Sequence, residues 1–332
     1  MPEPKFLVVR LGSLGDIVHA FPAVAALRET VPQARIVWLT HPRWRELVES
    51  ANLATEIWDV ETRSLLSIRE MRTRIRKEQF SVAIDYQGLW KSAALPFLAR
   101  VPRRIGFSSE SVREFGVPLL YTNRVRTSSA HVSDRNGELS TRAGAAKPVG
   151  TFSLSVPANA RHKVCDDLGR HGIKDYFVLS PGGGWLSKCW PAERYGELAQ
   201  RLKADYGIRS VINYGPGEQS LADGVVAAGG DATPLPYSGS FGELMAVLQG
   251  ARCVIAGDTG PMHLADALGT KVVAIFGPTD PERNGPYSGK GIVLRAPGVE
   301  STYKRAHAPH SSLLEIGVAD VLDALRKAQV LA

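Results

Sequence analysis

Short runs of apolar residues alternate with segments of helical spacing along the first half of the chain. The apolar runs cover residues 6–9, 35–40, 56–60 and 81–85. Segments whose apolar positions recur at helical spacing are residues 17–27, 42–50 and 65–78. Strands that alternate in this way with helices predict an α/β fold with a parallel, doubly wound sheet.

The same pattern starts again in the second half. Its apolar runs are residues 176–180, 210–215, 253–256 and 271–276, with helices from Pro191 and over residues 311–328. Residues 127–157, between the halves, are rich in Ser, Thr, Ala, Gly and Pro, although residues 133–142 fit a helix. We therefore predict two Rossmann-like domains, residues 1–157 and 158–332, whose parallel sheets face an interdomain cleft that binds a ligand. The last helix could pack on either domain.

The composition is typical of a folded, soluble protein. The 332 residues exceed the length of one ordinary domain, and they are 44% hydrophobic and 22% charged. No apolar run approaches the roughly 18 to 20 residues that a membrane span needs. The first residues lack the features of a secretory signal, so we expect a cytoplasmic protein.

The cysteines and histidines indicate neither a disulfide framework nor a metal site. Cys165, Cys189 and Cys253 are odd in number and never form a CxxC motif, so we expect three reduced thiols. His307 and His310 have no carboxylate or thiol beside them, and we interpret them as surface residues. We predict no metal ion and no cofactor.

Positive charge is concentrated in the first half of a chain whose formal net charge is +7. The basic residues there include Arg63, Arg69, Arg72, Arg74, Arg76, Lys77, Arg100, Arg103 and Arg104. Such an excess indicates either a polyanionic partner or a solvated helix face. The chain contains no nucleic-acid-binding motif, and we expect no nucleic acid partner.

A strand, a glycine-flanked turn and a helical pattern follow one another from residue 253 onward. In α/β proteins this arrangement presents backbone N–H groups to a phosphate, and Asp258, Thr259 and Gly260 form the turn. Asp258 would repel a phosphate and better fits a role in organising the turn. His263 lies one helical turn further on, where it could donate to the same phosphate or be purely structural.

Two loops of the second half carry further charged candidates. Lys188 follows Gly182-Gly183-Gly184 and could neutralise a diphosphate, although a single lysine is more often an exposed loop residue. Glu218 follows the second strand, where acidic residues often bind ribose hydroxyls, and a helix cap explains it equally well.

The loop after the first strand contains Gly12-Ser13-Leu14-Gly15-Asp16, which lacks the third glycine of the dinucleotide-binding motif. A dehydrogenase is therefore disfavoured. Asp16 at a helix start fits a capping residue, but this loop is also expected to face the cleft, where a carboxylate can act as a base.

Three segments together resemble the heptosyltransferase family, the glycosyltransferases that add heptose from ADP-heptose to the inner core of lipopolysaccharide. They are residues 9–19 with Phe21-Pro22, residues 188–191, and residues 258–263 with residues 277–281. The resemblance spans nearly the whole chain. It implies a GT-B fold with the acceptor on the first domain and the ADP-sugar on the second, and an inverting, metal-independent reaction.

The resemblance also implies roles for particular residues. Asp16 would be the catalytic base, and Glu218 would bind the adenosine ribose. The donor diphosphate would be bound by Gly183, Gly184, Ser187, Lys188, Asp258, Thr259, Gly260 and His263. Acceptor contacts would be Ser13, Gly15, Arg63, Arg69, Arg72, Arg103 and Arg104. Relatives often carry hydroxyl residues where this chain has Gly182-Gly183-Gly184, and residues 295–310 lack the cysteines of several relatives.

The implied donor is ADP-L-glycero-D-manno-heptose and the implied acceptor is Kdo-lipid A, an anion that would account for the basic first half. Such a protein would lie peripherally at the cytoplasmic face of the inner membrane. The alternatives are a GT-B-like sugar-nucleotide epimerase, a transferase with another donor or acceptor, and a protein that binds a nucleotide-sugar without chemistry. The sequence leaves open the oligomeric state and whether the first or second heptose is transferred.

Overall fold

Each half of the chain forms one parallel six-stranded sheet in a computed structural model that describes residues 4–112 and 114–331. The sheets belong to two units, and the boundary between the units lies between Ser155 and Val156. Among the described residues, no helix is both long enough and apolar enough to cross a membrane.

The sheet of the first unit has the strand order β3-β2-β1-β4-β5-β6. Its strands are β1 (Lys5–Val9), β2 (Arg35–Thr40), β3 (Glu56–Asp59), β4 (Val82–Asp85), β5 (Arg103–Phe107) and β6 (Asn123–Val125). Its helices are α1 (Leu14–Val18), α2 (Phe21–Thr30), α3 (Arg45–Ser50), α4 (Leu65–Glu78), α5 (Trp90–Leu98) and α6 (Val132–Ala143). Short 3-10 helices cover Pro42–Trp44 and Val117–Leu120.

The second unit repeats this topology with the order β12-β11-β10-β7-β8-β9. Its strands are β7 (Tyr176–Ser180), β8 (Arg209–Asn213), β9 (Leu235–Tyr237), β10 (Cys253–Gly257), β11 (Val272–Phe276) and β12 (Ile292–Arg295). Its α-helices are α7 (Ala158–Arg170), α8 (Ala192–Tyr206), α9 (Gln219–Gly229), α10 (Phe241–Gly250), α11 (Gly260–Ala267), α12 (Pro281–Asn284), α13 (Ser311–Leu314) and α14 (Val318–Lys327). Two 3-10 helices cover Leu186–Lys188 and Gly230–Ala232.

The central strands are apolar along their length because helices cover both faces of each sheet. Every residue of β7, β10 and β11 is buried. The predicted α/β fold with parallel, doubly wound sheets is confirmed. In each unit the chain reverses its direction across the sheet once. The reversal lies between β1 and β4 in the first unit and between β7 and β10 in the second. At such a switch point the two flanking loops diverge and leave room for a ligand at the carboxyl ends of the strands.

Two predicted helices are interrupted. The helix expected over residues 17–27 ends at Val18 and restarts at Phe21. Pro22 has no N–H for the carbonyl of Val18, but it fits the first turn of a new helix. The helix expected over residues 311–328 breaks before Gly317, whose N–H binds the Asp320 carboxylate at 2.8 Å at the start of α14.

The helix expected over residues 133–142 is present as α6, and the rest of residues 127–157 forms neither helix nor strand. Helix α6 packs against α2, and two of its side chains donate hydrogen bonds to carbonyls just before and within α2. Asn136 donates to the carbonyl of His19 at 3.0 Å, and Ser140 donates to that of Ala23 at 2.7 Å. Helix α6 is therefore part of the first unit. Helix α14 packs in the second unit, against α8, β11 and β12.

Candidate functional site

Asp16 lies at the switch point of the first sheet, in the first turn of α1. Its Oδ2 accepts hydrogen bonds from the backbone N–H of Ser13 at 3.1 Å and from the Ser13 hydroxyl at 2.9 Å. Such a bond from a third helical residue back to the N-cap is one half of a capping box. The carboxylate is nevertheless 45% exposed, so it caps the helix and remains accessible to a substrate.

Arg10 fixes the other oxygen of this carboxylate. One guanidinium nitrogen lies 2.6 Å from Asp16 Oδ1, and another donates to the carbonyl of Tyr86, just after β4. The arginine side chain is only 7% exposed. A buried, doubly bonded guanidinium holds the carboxylate in one orientation. Sequence reasoning gave no role to Arg10, although it stands directly after the first strand.

The backbone between Arg10 and Asp16 is held by its surroundings. The N–H of Leu11 donates to Gln87 Oε1 at 2.9 Å, which ties this loop to the loop after β4. Gly12 has φ +152°, and a Cβ there would lie 2.8 Å from the indole nitrogen of Trp44. Only glycine therefore fits this point of the loop without strain.

The five arginines predicted to contact an acceptor lie in different places. Arg63 and Arg69 are exposed, before and within the first turns of α4, and Arg72 Nε donates to the carbonyl of Leu98 at 3.0 Å. Arg103 and Arg104 stand at the amino end of β5, the edge of the sheet opposite to Asp16. The Arg104 side chain also donates to the carbonyl of Leu120 at 2.8 Å. Arg103 and Arg104 therefore lie at a different edge of the sheet from Asp16.

In the second unit, three predicted residues form one buried cluster at the switch point between β7 and β10. Lys188 Nζ lies 2.6 Å from Asp258 Oδ2, and His263 Nε2 lies 3.5 Å from Asp258 Oδ1. Lys188 ends the 3-10 helix after β7, Asp258 follows β10, and His263 is in α11. All three are buried. The cluster presents a cation and an imidazole on either side of one carboxylate.

The charge state of Asp258 follows from these neighbours. Burial by itself would raise the pKa of this carboxyl group, but the hydrogen bond with His263 and the charge of Lys188 outweigh burial and hold the pKa well below its usual range. Asp258 is therefore ionised at neutral pH. Its carboxylate holds Lys188 and His263, which lie on two different elements.

Unpartnered hydroxyl groups lie in the same loops. The Oγ atoms of Ser187, Thr259 and Thr279 are buried, and no hydrogen-bond partner for them exists among the described residues. Thr259 is the N-cap of α11, so free N–H groups of Gly260 and the first turn accompany its hydroxyl. Buried donors without acceptors fit a site for an oxygen-rich anion. Thr279 had no predicted role, and its place after β11 is the signal that could have suggested one.

Glu218 and the glycines after β7 are adjacent. Glu218 is the N-cap of α9, and its Oε2 accepts the N–H of Gly215 at 2.8 Å. A Cβ on Gly182 would stand 2.1 Å from Glu218 Oε1, so a larger residue at position 182 would displace this carboxylate. Gly183 lies close to Cys189, and Gly184 has a left-handed φ of +73°. The predicted loop therefore lies beside the predicted ribose ligand.

Residues 296–310 border this cluster. The N–H of Thr302 donates to the carbonyl of Pro278 at 2.7 Å, and that of His310 donates to the carbonyl of Ser187 at 3.4 Å. The Trp185 ring has Lys188 Nζ 4.5 Å from its centroid and the Arg305 guanidinium carbon 5.1 Å from it. Both are within cation–π range. The sequence did not indicate this second cation.

In the described parts of the chain, no three His, Cys, Asp or Glu side chains are grouped so that they could hold a metal ion. His310 caps α13 through a ring nitrogen that accepts the N–H of Ser312 at 3.3 Å, so it is a capping residue and not simply a surface residue. His307 is exposed. The cysteines Cys165, Cys189 and Cys253 are all free thiols.

Comparison with known proteins shows which family the chain resembles. Residues 68–311 match the sequence profile of glycosyltransferase family 9 (heptosyltransferase). The chain is 28% identical over 317 residues to lipopolysaccharide heptosyltransferase 1 of Escherichia coli O18:K1:H7, an alignment that covers 92% of this chain and 95% of the relative. It is 29% identical over 307 residues to lipopolysaccharide heptosyltransferase 1 of Pseudomonas aeruginosa PAO1, covering 87% and 83%.

Solved structures give the same result. The fold matches that of the E. coli heptosyltransferase WaaC with ADP at a TM-score of 0.78 and 26% identity, with 98% of this chain and 99% of that chain covered. It also matches E. coli ADP-heptose lipopolysaccharide heptosyltransferase II at a TM-score of 0.82 and 22% identity, with 98% of each chain covered. The two-domain GT-B architecture expected from the sequence is thus confirmed.

Proposed function

The chain belongs to glycosyltransferase family 9 (heptosyltransferase), and from this premise we propose that it transfers heptose from ADP-L-glycero-D-manno-heptose to the inner core of lipopolysaccharide. The transfer inverts the anomeric carbon in one displacement and needs no metal ion. The observation that supports this most is the pair of switch-point sites. One offers an accessible carboxylate, and the other offers buried donors for an anion. Membership of a glycosyltransferase family sets aside the epimerase and the non-catalytic binding protein.

The second unit binds the donor in this proposal. The diphosphate accepts hydrogen bonds from Lys188, from His263 and from the backbone N–H groups of Thr259 and Gly260 at the start of α11. The hydroxyls of Ser187 and Thr259 and the N–H groups of Gly183 and Gly184 complete the set. The hydroxyl oxygens of Ser187 and Thr259 are buried and have no hydrogen-bond partner among the described residues, which supports this assignment. Glu218 accepts hydrogen bonds from the adenosine ribose.

Asp16 is the base in the proposed reaction. As the acceptor hydroxyl oxygen forms its bond to C1 of the heptose, its proton passes to the Asp16 carboxylate. The bond from C1 to the diphosphate oxygen breaks on the opposite face, and ADP leaves with the electron pair. Negative charge grows on the diphosphate in the transition state, where Lys188, His263 and the α11 N-terminus stabilise it. These hydrogen-bond donors take the part that a metal ion plays in other transferases, which supports metal independence.

The first unit binds the acceptor, which we propose to be Kdo-lipid A. Ser13 and Gly15 line the approach to Asp16, while Arg63, Arg69 and Arg72 attract the anionic groups of the acceptor from α4. Arg103 and Arg104 are left out of this set because they stand at the other edge of the sheet. An acceptor with acyl chains places the protein peripherally at the cytoplasmic face of the inner membrane.

A transfer assay tests the proposal. The protein is incubated with Kdo-lipid A in the presence of EDTA and with ADP-heptose, a UDP-sugar or a GDP-sugar, and products are identified by mass spectrometry and NMR. We expect heptose transfer from ADP-heptose alone, undiminished by the chelator and with inverted anomeric configuration. Transfer that needs a divalent ion, retains configuration or uses another nucleotide would contradict it. So would conversion of ADP-heptose without any acceptor, as an epimerase would give.

A further inference from the structure

Exposed apolar side chains are concentrated on one part of the first unit. Of the eleven large apolar side chains exposed among the described residues, seven lie between residues 65 and 119. They are Leu65, Leu66, Trp90, Phe97, Leu98, Phe115 and Leu119, and we call them the apolar face. Phe115 is 99% exposed, Leu65 is 84% exposed and Leu119 is 68% exposed. Concentrations of this kind mark an interaction site, whereas scattered single residues do not.

Contacts join the elements that carry the apolar face. Helix α4 packs beside α5, and α5 packs beside the 3-10 helix at Val117–Leu120. The indole N–H of Trp90 donates to the carbonyl of Phe115 at 3.2 Å, which joins the start of α5 to the loop after β5. The Arg104 guanidinium lies 5.5 Å from the Phe97 ring centroid and binds the carbonyl of Leu120.

One end of the apolar face borders the edge of the sheet that carries Asp16, whereas Phe97, Leu98 and Leu119 lie towards the opposite edge, where Arg104 stands. Helices α4 and α5 begin just after the carboxyl ends of β3 and β4, and Phe115 lies in the segment that follows β5. These strands are parallel to β1, whose carboxyl end leads into the Asp16 loop. Leu65, Leu66, Trp90 and Phe115 therefore stand at the same edge as the proposed base.

Basic side chains without acidic partners surround the apolar face. Arg63, Arg69 and Lys91 are exposed, and none of them forms an ion pair within the described residues. Of the nearby acidic groups, Glu114 accepts the N–H of Trp90 at 2.7 Å, and Glu110 faces Arg126 at 3.6 Å. Glu70 is an exposed carboxylate on α4, outnumbered by the basic residues of that helix.

We propose that the apolar face docks on an anionic lipid bilayer. Phe115, Leu119, Leu65 and Leu66 enter the headgroup region, while the unpaired basic side chains contact lipid phosphates. Apolar residues interleaved with Arg and Lys are the composition that surface-bound segments use on anionic membranes. A second copy of the chain fits less well, because a twofold dimer through this face would bring like charges together. The purpose of such docking rests on the proposed function, in which a lipid-linked acceptor reaches Asp16 from the bilayer.

Vesicle binding tests the docking surface without any substrate. The full chain is sedimented with phosphatidylcholine vesicles that contain or lack phosphatidylglycerol. The doubly substituted protein Phe115→Ser/Leu119→Ser is compared with Leu314→Ser, which removes an exposed leucine of the second unit. We expect the anionic vesicles to bind the wild type and the Leu314→Ser control equally. The double variant should bind about tenfold or more weakly, and high salt should weaken binding of the wild type.

Two results would overturn the proposal that the apolar face docks on an anionic bilayer. One is equal vesicle binding by the double variant and the wild type. The other is a wild type that ignores anionic vesicles but forms a dimer that the double substitution dissociates, which would assign the face to a second copy. Circular dichroism and ADP titration check that the variant is folded. Transfer to a water-soluble acceptor without acyl chains separates the two proposals, because the double variant should match the wild type there even if docking is wrong.

Discussion

At the residue scale, Asp16 shows how one carboxylate can serve local structure and chemistry together. One oxygen accepts two hydrogen bonds from Ser13, and the other is paired with Arg10. The sequence posed capping and catalysis as alternatives. The geometry makes them compatible, because the cap orients a side chain that stays half exposed. A positioned base depends on such orientation, since displacements near 1 Å can cost about a hundredfold in rate.

Arg10 is therefore expected to position the base. Arg10→Met should lower kcat by roughly 10- to 100-fold, because the carboxylate loses the group that fixes its second oxygen. Steady-state kinetics of transfer measure this effect.

A matched control for Arg10 is Arg35→Lys, which alters an arginine paired with Glu56 and Glu78 at the amino end of β2. It should leave kcat unchanged. Arg10→Lys should restore only part of kcat, because a single ammonium group cannot bind Asp16 and the carbonyl of Tyr86 as a guanidinium does. A kcat of Arg10→Met equal to that of the wild type would show that Arg10 does not position the base.

The buried pair of Lys188 and Asp258 carries a prediction about stability. Asp258→Asn should lower the free energy of unfolding by about 3 to 5 kcal/mol at pH 7, because it leaves the Lys188 ammonium buried without a counter-charge. The folded protein depresses the pKa of Asp258, so this stabilisation is present above the usual carboxyl pKa of about 4 and is lost as the pH falls through the lower folded value. The difference between the two proteins should shrink below about pH 4.

Urea denaturation followed by circular dichroism measures this difference. Asp205→Asn is the control, because Asp205 pairs with Arg201 on the exposed side of α8 and should change the free energy of unfolding by less than about 1 kcal/mol. Equal effects of the two substitutions at pH 7 would mean that the buried pair contributes no more than a surface pair.

At the scale of elements, the candidate residues are brought together by loops that follow parallel strands. Lys188 and Asp258 are distant in sequence, but β7 and β10 are hydrogen-bonded neighbours, with Ser180 opposite Ala256. The parallel sheets were predictable because the central strands are mostly apolar. The short outer strands β6 and β9 gave no such signal, since they contain polar residues or proline and lie at sheet edges.

One prediction at this scale concerns the contact between the loop after β7 and the start of α9. Gly182→Ala should weaken ADP binding by about tenfold, because its Cβ would overlap the Glu218 carboxylate and displace the proposed ribose ligand. Gly169→Ala is the control, since a Cβ at that position in α7 meets no other atom within 4 Å. Isothermal titration with ADP compares them. Unchanged affinity in Gly182→Ala would separate Glu218 from the nucleotide.

At the scale of the molecule, two copies of one topology support two different sites. The doubled α/β pattern and the loops after β1, β7 and β10 were predictable from apolar periodicity and glycine placement. The partners of the charged residues were not. Arg10 and Arg305 acquire partners from segments remote in sequence, and the edge of the sheet at which Arg103 and Arg104 lie follows from β5, a strand that the apolar pattern did not indicate. Periodicity specifies burial, whereas side-chain pairing depends on strand order and register.

The central claim is that Asp16 of the first unit removes the acceptor proton while the second unit binds the donor. Asp16→Asn keeps an oxygen for the Ser13 hydrogen bonds but has no basic carboxylate. The direct measurement is kcat for heptose transfer in this variant together with its Kd for ADP. We predict that kcat falls by roughly 10² to 10⁴-fold while Kd changes by less than about twofold. A variant that keeps wild-type kcat would contradict the assignment of Asp16 as the base.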